Sequence, residues 1–168
     1  MNASNLILIG MPGAGKSTLG ILLAKALGLD FLDTDVAIQA ACGKSLPALI
    51  EQIGLAGFCR IEQKYLESLA VSQTVIATGG SAVYYESAMR RLGEEGLVLY
   101  LQVPPETLKE RLSDMAGRGV VIEPGQTLES LYAKRAALYE RYADVTVDLT
   151  GLPHQPALDK ILTVLRSR

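Results

Sequence analysis

Residues Gly10-Met11-Pro12-Gly13-Ala14-Gly15-Lys16-Ser17-Thr18 constrain this chain more than any other stretch. The pattern is G-x-x-x-x-G-K-S. It follows the apolar run at 6–9 and opens a segment, 16–27, in which Leu19, Leu22, Leu23 and Leu27 recur at helical spacing. A buried strand, a glycine-rich turn and a helix N-terminus aim backbone N–H groups and a positive dipole end at one point. Only an anion fits there. The spacing assigns Gly13, Ala14, Gly15, Lys16, Ser17 and Thr18 to a nucleotide's phosphates, with Lys16 on the β- and γ-phosphates and the Ser17 hydroxyl on Mg2+.

The alternation continues along the chain. Strand-like runs recur at 6–9, around Phe31-Leu32, and at 74–77, 97–101 and 145–147, with longer helix-period segments between them. This predicts an α/β fold, a five-stranded parallel sheet with helices on both faces, in a single domain spanning 1–168. The 168 residues, 49% of them apolar, suffice for one core and not for two. A net charge of −2, with no Trp and only 2 Phe, leaves neither the positive stripe nor the stacking rings of a nucleic-acid binder. Cys42 and Cys59 form no C-x-x-C pair and read as free thiols of a reducing compartment. The chain lacks an apolar run of about 18 residues and a basic-then-apolar leader, so a cytoplasmic monomer with no membrane contact is expected.

Asp33-Thr34-Asp35, at the end of the second strand, places two carboxylates at i and i+2 on extended backbone, pointing to one side. Beside the phosphate loop, one can hold hydrated Mg2+ and the other can receive the proton of an acceptor hydroxyl. The plainer alternative is a turn in which Asp35 caps a helix starting at Val36. Thr78-Gly79-Gly80-Ser81 follows a strand at the carboxyl edge of the sheet, where open α/β sheets bind ligands. The glycine-rich stretch 115–125 reads as a mobile segment between two helices.

The phosphate loop, Asp33-Thr34-Asp35, Phe58-Cys59-Arg60-Ile61-Glu62, Gly79-Gly80-Ser81 and Ala133-Lys134-Arg135-Ala136-Ala137-Leu138-Tyr139 follow one another in an order that resembles the shikimate kinase family from residue 6 to about 147. The resemblance implies a nucleoside-monophosphate-kinase-like fold with a lid over 114–125. The implied reaction is transfer of the γ-phosphoryl group of ATP to a ring hydroxyl of shikimate, with Mg2+. It further implies Asp33 near the metal and Asp35 as the base holding the acceptor hydroxyl. Gly79 and Gly80 would offer backbone N–H groups to the acceptor, and Arg135 would bind its carboxylate. Arg118 would be the lid arginine over the transferred phosphate, and Arg111 would lie against adenine. An exposed helical arginine is the plainer reading of Arg111. His154, the only histidine, lies between Pro153 and Pro156 and reads either as an exposed loop residue or as a neighbour of the adenine.

Three positions depart from the family pattern. Cys59 stands where the pattern has a carboxylate-binding arginine, with Arg60 one residue later and about 100° around a helix. Ser81 replaces a third glycine, and Gly119 replaces the proline after the lid arginine. Cys59 and Arg60 are therefore both candidate acceptor-binding residues, and Glu62 has Arg60 or Arg135 as candidate partner. Tyr84 or Tyr85 could line the pocket or pack. Lys134, Tyr139 and Arg141 read as scaffold. Three activities stay open: phosphorylation of shikimate, phosphorylation of another small polyol, sugar acid or amino-alcohol, and nucleotide binding without catalysis.

Overall fold

Unbroken apolar runs, rather than alternating ones, mark strands covered on both faces. A computed structural model, describing residues 5–113 and 125–168, has five strands in one sheet. They are β1 (Asn5–Ile9), β2 (Asp30–Asp33), β3 (Thr74–Ala77), β4 (Gly96–Gln102) and β5 (Val145–Asp148). Their order is β2-β3-β1-β4-β5, every neighbouring pair is parallel, and β1 and β3 are buried throughout. The five-stranded parallel sheet expected from the sequence is the one found. The expected lid, with Arg118 and Gly119, lies outside the described residues.

Seven helices are present among the described residues: α1 (Lys16–Leu27), α2 (Thr34–Cys42), α3 (Leu46–Ser68), α4 (Glu86–Glu95), α5 (Pro105–Ser113), α6 (Leu128–Tyr142) and α7 (His154–Arg166). Because the strands are parallel, the segments after β1, β2 and β3 all emerge at the same carboxyl edge. These are the phosphate loop, the aspartates and the Gly79-Gly80 turn.

The main core lies around the sheet and includes Leu8, Leu19, Leu23, Leu99, Tyr100 and Tyr139. Leu27 departs from the apolar face expected of α1, for it is exposed at the helix end. A second, small cluster of Ile38, Leu49 and Phe58 joins α2 to α3. That cluster forms because α3 is not straight. Gly54 has φ 72°, a left-handed conformation open to glycine, and it breaks the helix between the segment bearing Leu49 and the one bearing Phe58 and Glu62. No described helix is long and apolar enough to cross a membrane.

Candidate active site

The phosphate loop is shaped by glycine. Gly15 has φ 94° and Gly13 φ 82°, so the backbone curls before α1 begins at Lys16. The buried Lys16 Nζ donates to the carbonyls of Gly10 (2.7 Å) and Met11 (2.9 Å). Burial lowers its pKa to about 8, against the opposing pull of Asp35.

Ser17 Oγ donates to Asp33 Oδ2 at 2.6 Å, which sets a hydroxyl and a carboxylate side by side. Two hard oxygen donors next to a phosphate loop suit Mg2+. The other oxygen of Asp33 accepts from the amides of Asp35 and Val36. The capping residue is therefore Asp33, and α2 begins at Thr34, two residues earlier than a cap at Asp35 requires. This frees the Asp35 side chain for the cleft. Burial, with Glu62 nearby, raises the Asp35 pKa to about 6.

The Gly79-Gly80 turn passes close to charged groups. A Cβ on Gly79 would lie 2.3 Å from Glu62 Oε1 and 2.8 Å from Asp35 Oδ1, and one on Gly80 would lie 3.0 Å from Arg135 Nη1. No side chain fits at either position, and Asp35 and Arg135 flank consecutive residues. The Gly79 amide does not point to a ligand, because it donates to Thr34 Oγ1 (3.1 Å). The Gly79 N–H that the resemblance offered to an acceptor is thus already used within the fold.

Arg135 is 2% exposed. Its Nε donates to Tyr84 Oη (3.1 Å), and its guanidinium lies 5.2 Å from the Tyr84 ring centroid. Tyr139 Oη donates to the Gly80 carbonyl (2.7 Å), tying α6 to the turn. Glu62 is fully buried, and its Oε2 accepts from Ser81 Oγ (2.6 Å) and Tyr85 Oη (2.7 Å). Its partners are therefore neither of the arginines expected. Burial holds its pKa above the usual carboxylate value, although both hydroxyls and the positive charge of Arg135 pull it down.

Lys16, Ser17, Asp33, Asp35, Glu62, Gly79, Gly80, Ser81 and Arg135 line one cleft of about 890 Å³, together with Gln39, Ser45, Leu46, Pro47, Phe58, Arg111, Leu112, Leu152, Pro153 and His154. Arg111 is half-buried rather than a free helical arginine, and it donates to the Gly13 carbonyl (3.1 Å). His154 is the first residue of α7, not a loop residue, and it lies at the cleft.

Cys59 and Arg60 do not line the cleft. Phe58 and Glu62, four residues apart, face it from one side of α3, which turns residue 60 about 200° away into solvent. Cys59 packs against the main core. Tyr84 and Tyr85 stand behind Arg135 and Glu62, not in the cleft wall. Sequence reasoning missed Gln39, Ser45, Leu46 and Pro47. None belongs to a chemical motif, and each reaches the cleft only through the bend at Gly54 and the packing of α2 on α3.

The comparisons agree with this geometry. The family profile described as shikimate kinase matches residues 12–166, most of the chain. The chain belongs to the shikimate kinase family. It is 42% identical to the shikimate kinase of Thiobacillus denitrificans (strain ATCC 25259 / T1), over 86% of this chain and 80% of that one. It is 41% identical to that of Pseudomonas aeruginosa (strain LESB58), over 96% of each. Among solved structures, it is similar to a shikimate kinase from Acinetobacter baumannii in complex with shikimate. The TM-score is 0.89 at 32% identity, covering 98% of this chain and 94% of that one.

Proposed function

We propose that this chain is a shikimate kinase, transferring the γ-phosphoryl group of ATP to a hydroxyl of shikimate. The observation that carries the reading is the flanking of two consecutive glycines by a half-buried carboxylate, Asp35, and a buried guanidinium, Arg135, beside the phosphate loop. A hydroxyl at Asp35 and a carboxylate at Arg135 describe a small hydroxy acid. The Acinetobacter baumannii relative, named for its complex with shikimate, supplies the identity.

The two substrates approach from opposite sides of the sheet. Arg111 and His154 belong to the β4–β5 side and Phe58 and Glu62 to the β2–β3 side, with Lys16 and Asp35 between. ATP occupies the first side, with its phosphates on the loop amides and Lys16. Binding moves the Lys16 ammonium from its loop carbonyls to the phosphate oxygens, where its charge offsets that of the transferring group. Ser17 and Asp33 would hold Mg2+, which neutralises phosphate charge when bound. Asp35 accepts a hydrogen bond from the attacking hydroxyl, and its raised pKa brings it nearer to a useful base. Arg118, outside the described residues, would add a positive charge to the transferring phosphate. The acceptor is a small molecule, and the protein acts as a cytoplasmic monomer.

The test is release of ADP with Mg·ATP, with and without shikimate, and detection of the phosphorylated product by mass spectrometry. Saturable, shikimate-dependent release is expected. Cys59 motivates a second reading, for at the acceptor side Arg135 is the one described arginine lining the cleft. An acceptor that is a different polyol or sugar acid would then turn over faster than shikimate in a panel of hydroxyl acceptors.

A further inference from the structure

A loop that turns its amides toward a phosphate turns carbonyls away from it, and those carbonyls need donors of their own. Three carbonyls of the phosphate loop have charged ones. Gly10 and Met11 accept from Lys16 Nζ, and Gly13 accepts from Arg111 Nη1 at 3.1 Å. Lys16 belongs to the loop itself and exchanges its carbonyls for phosphate oxygens when a nucleotide arrives. Arg111 comes from outside, on α5, and is then the charged donor left on the outer side of the loop. The same helix covers the same glycine with apolar groups. A Cβ on Gly13 would meet Leu112 Cγ and Cδ2 at 3.4 Å and Leu108 Cδ2 at 3.6 Å. Leu108 is fully buried in the main core, so α5 is anchored where it meets the loop. Gly13 has φ 82° and no side chain to hold that conformation, so its fixing must come from such neighbours.

We infer that Arg111 is a positioning residue for the phosphate loop: it holds the Gly13 carbonyl outward, so that the amides after it keep their aim at the phosphates once Lys16 has moved. The inference rests on the reading of this loop as the ATP site. It differs from the contact with adenine that the resemblance implies, because it is exerted on the backbone and needs no base. The ligand that Arg111 governs is then the triphosphate chain, whatever it carries. A ligand without a base separates the two roles.

Arg111→Met removes the donors and the charge and keeps an apolar stem of similar length. Wild type and variant would be titrated with Mg·ATP and with magnesium tripolyphosphate in a calorimeter. Hydrogen–deuterium exchange of the free proteins would be read over residues 10–18. The Kd values for ATP and for tripolyphosphate should both rise about tenfold. The loop amides should exchange faster in the free variant, while those of β3 keep their protection. A loss confined to ATP would make Arg111 a contact for the base and overturns the proposal. Equal losses with unchanged loop exchange overturn it as well, since Arg111 would then act only as a charge on the phosphates. So does unchanged binding of both ligands. Should Arg111→Met fail to fold, Arg111→Gln, whose amide ends two bonds short of Nη1, should give the same paired loss and the same faster exchange. A wild type that binds neither ligand counts against the functional reading instead, and the loop exchange of the free proteins then decides the role of Arg111.

Discussion

At the scale of single residues, the site separates charge by backbone placement. Asp33 and Asp35 are two positions apart, yet one is pinned by helix amides and a serine while the other is turned into the cleft. Asp35→Asn removes the proton acceptor and keeps the shape. The kcat should fall about 100-fold or more, with the ATP KM within a few-fold of wild type, in a coupled ADP-release assay. Asp33→Asn tests the neighbouring role, since asparagine caps helices as well as aspartate does. Its unfolding free energy should stay within about 0.5 kcal/mol of wild type, while the Mg2+ concentration for half-maximal rate should rise roughly tenfold. Unchanged stability together with an unchanged Mg2+ dependence would make Asp33 a cap and nothing more. Tyr84→Phe strips the partner from Arg135 Nε, so the acceptor KM should rise several-fold, while kcat holds.

At the scale of elements, the strands and the start of α1 were legible because their signals are local. An unbroken apolar run is a covered strand whatever surrounds it, and G-x-x-x-x-G-K-S needs only its own glycines. Asp35 and Arg135 were legible through motif spacing. The acceptor wall was not, because its residues meet across elements. Cys59 is the clearest case. Register alone places it at a binding position, but helix phase is set by Phe58 and Glu62 and by the break at Gly54, and that phase sends residue 59 toward the core. Ser81 likewise read as a lost glycine, whereas its hydroxyl is half of the clamp on Glu62. Tyr139 ties α6 to the Gly79-Gly80 turn, both of which line the cleft, for it stacks on Tyr100 of β4 at 5.0 Å and bonds the Gly80 carbonyl. Tyr139→Phe should keep the stack and lose the tie, lowering stability by about 1 kcal/mol in urea unfolding. The acceptor KM should rise as α6 and the turn move independently.

At the scale of the whole molecule, the cleft concentrates buried charge that the fold must carry before any substrate arrives. Glu62 is the extreme case, and the charged groups facing it are Asp35 of α2, Lys16 of α1 and Arg135 of α6, with Tyr85 donating to it. Burial raises its folded pKa above the ordinary carboxylate value near 4.5. Between that ordinary value and the raised one, the folded chain binds more protons than the unfolded chain, so stability falls as pH rises through the window. Below the window both states are protonated and the term vanishes. Above it both are ionised and the full cost remains. Glutamine cannot ionise, so Glu62→Gln removes this slope and adds an NH2 that can donate toward Asp35. The Tm difference between Glu62→Gln and wild type, measured by thermal unfolding of the free protein, should therefore grow in favour of the variant as pH rises from about 4.5 toward neutrality. A difference that stays flat with pH would mean that Arg135 and Lys16 offset the whole of the burial of Glu62, leaving its pKa unshifted.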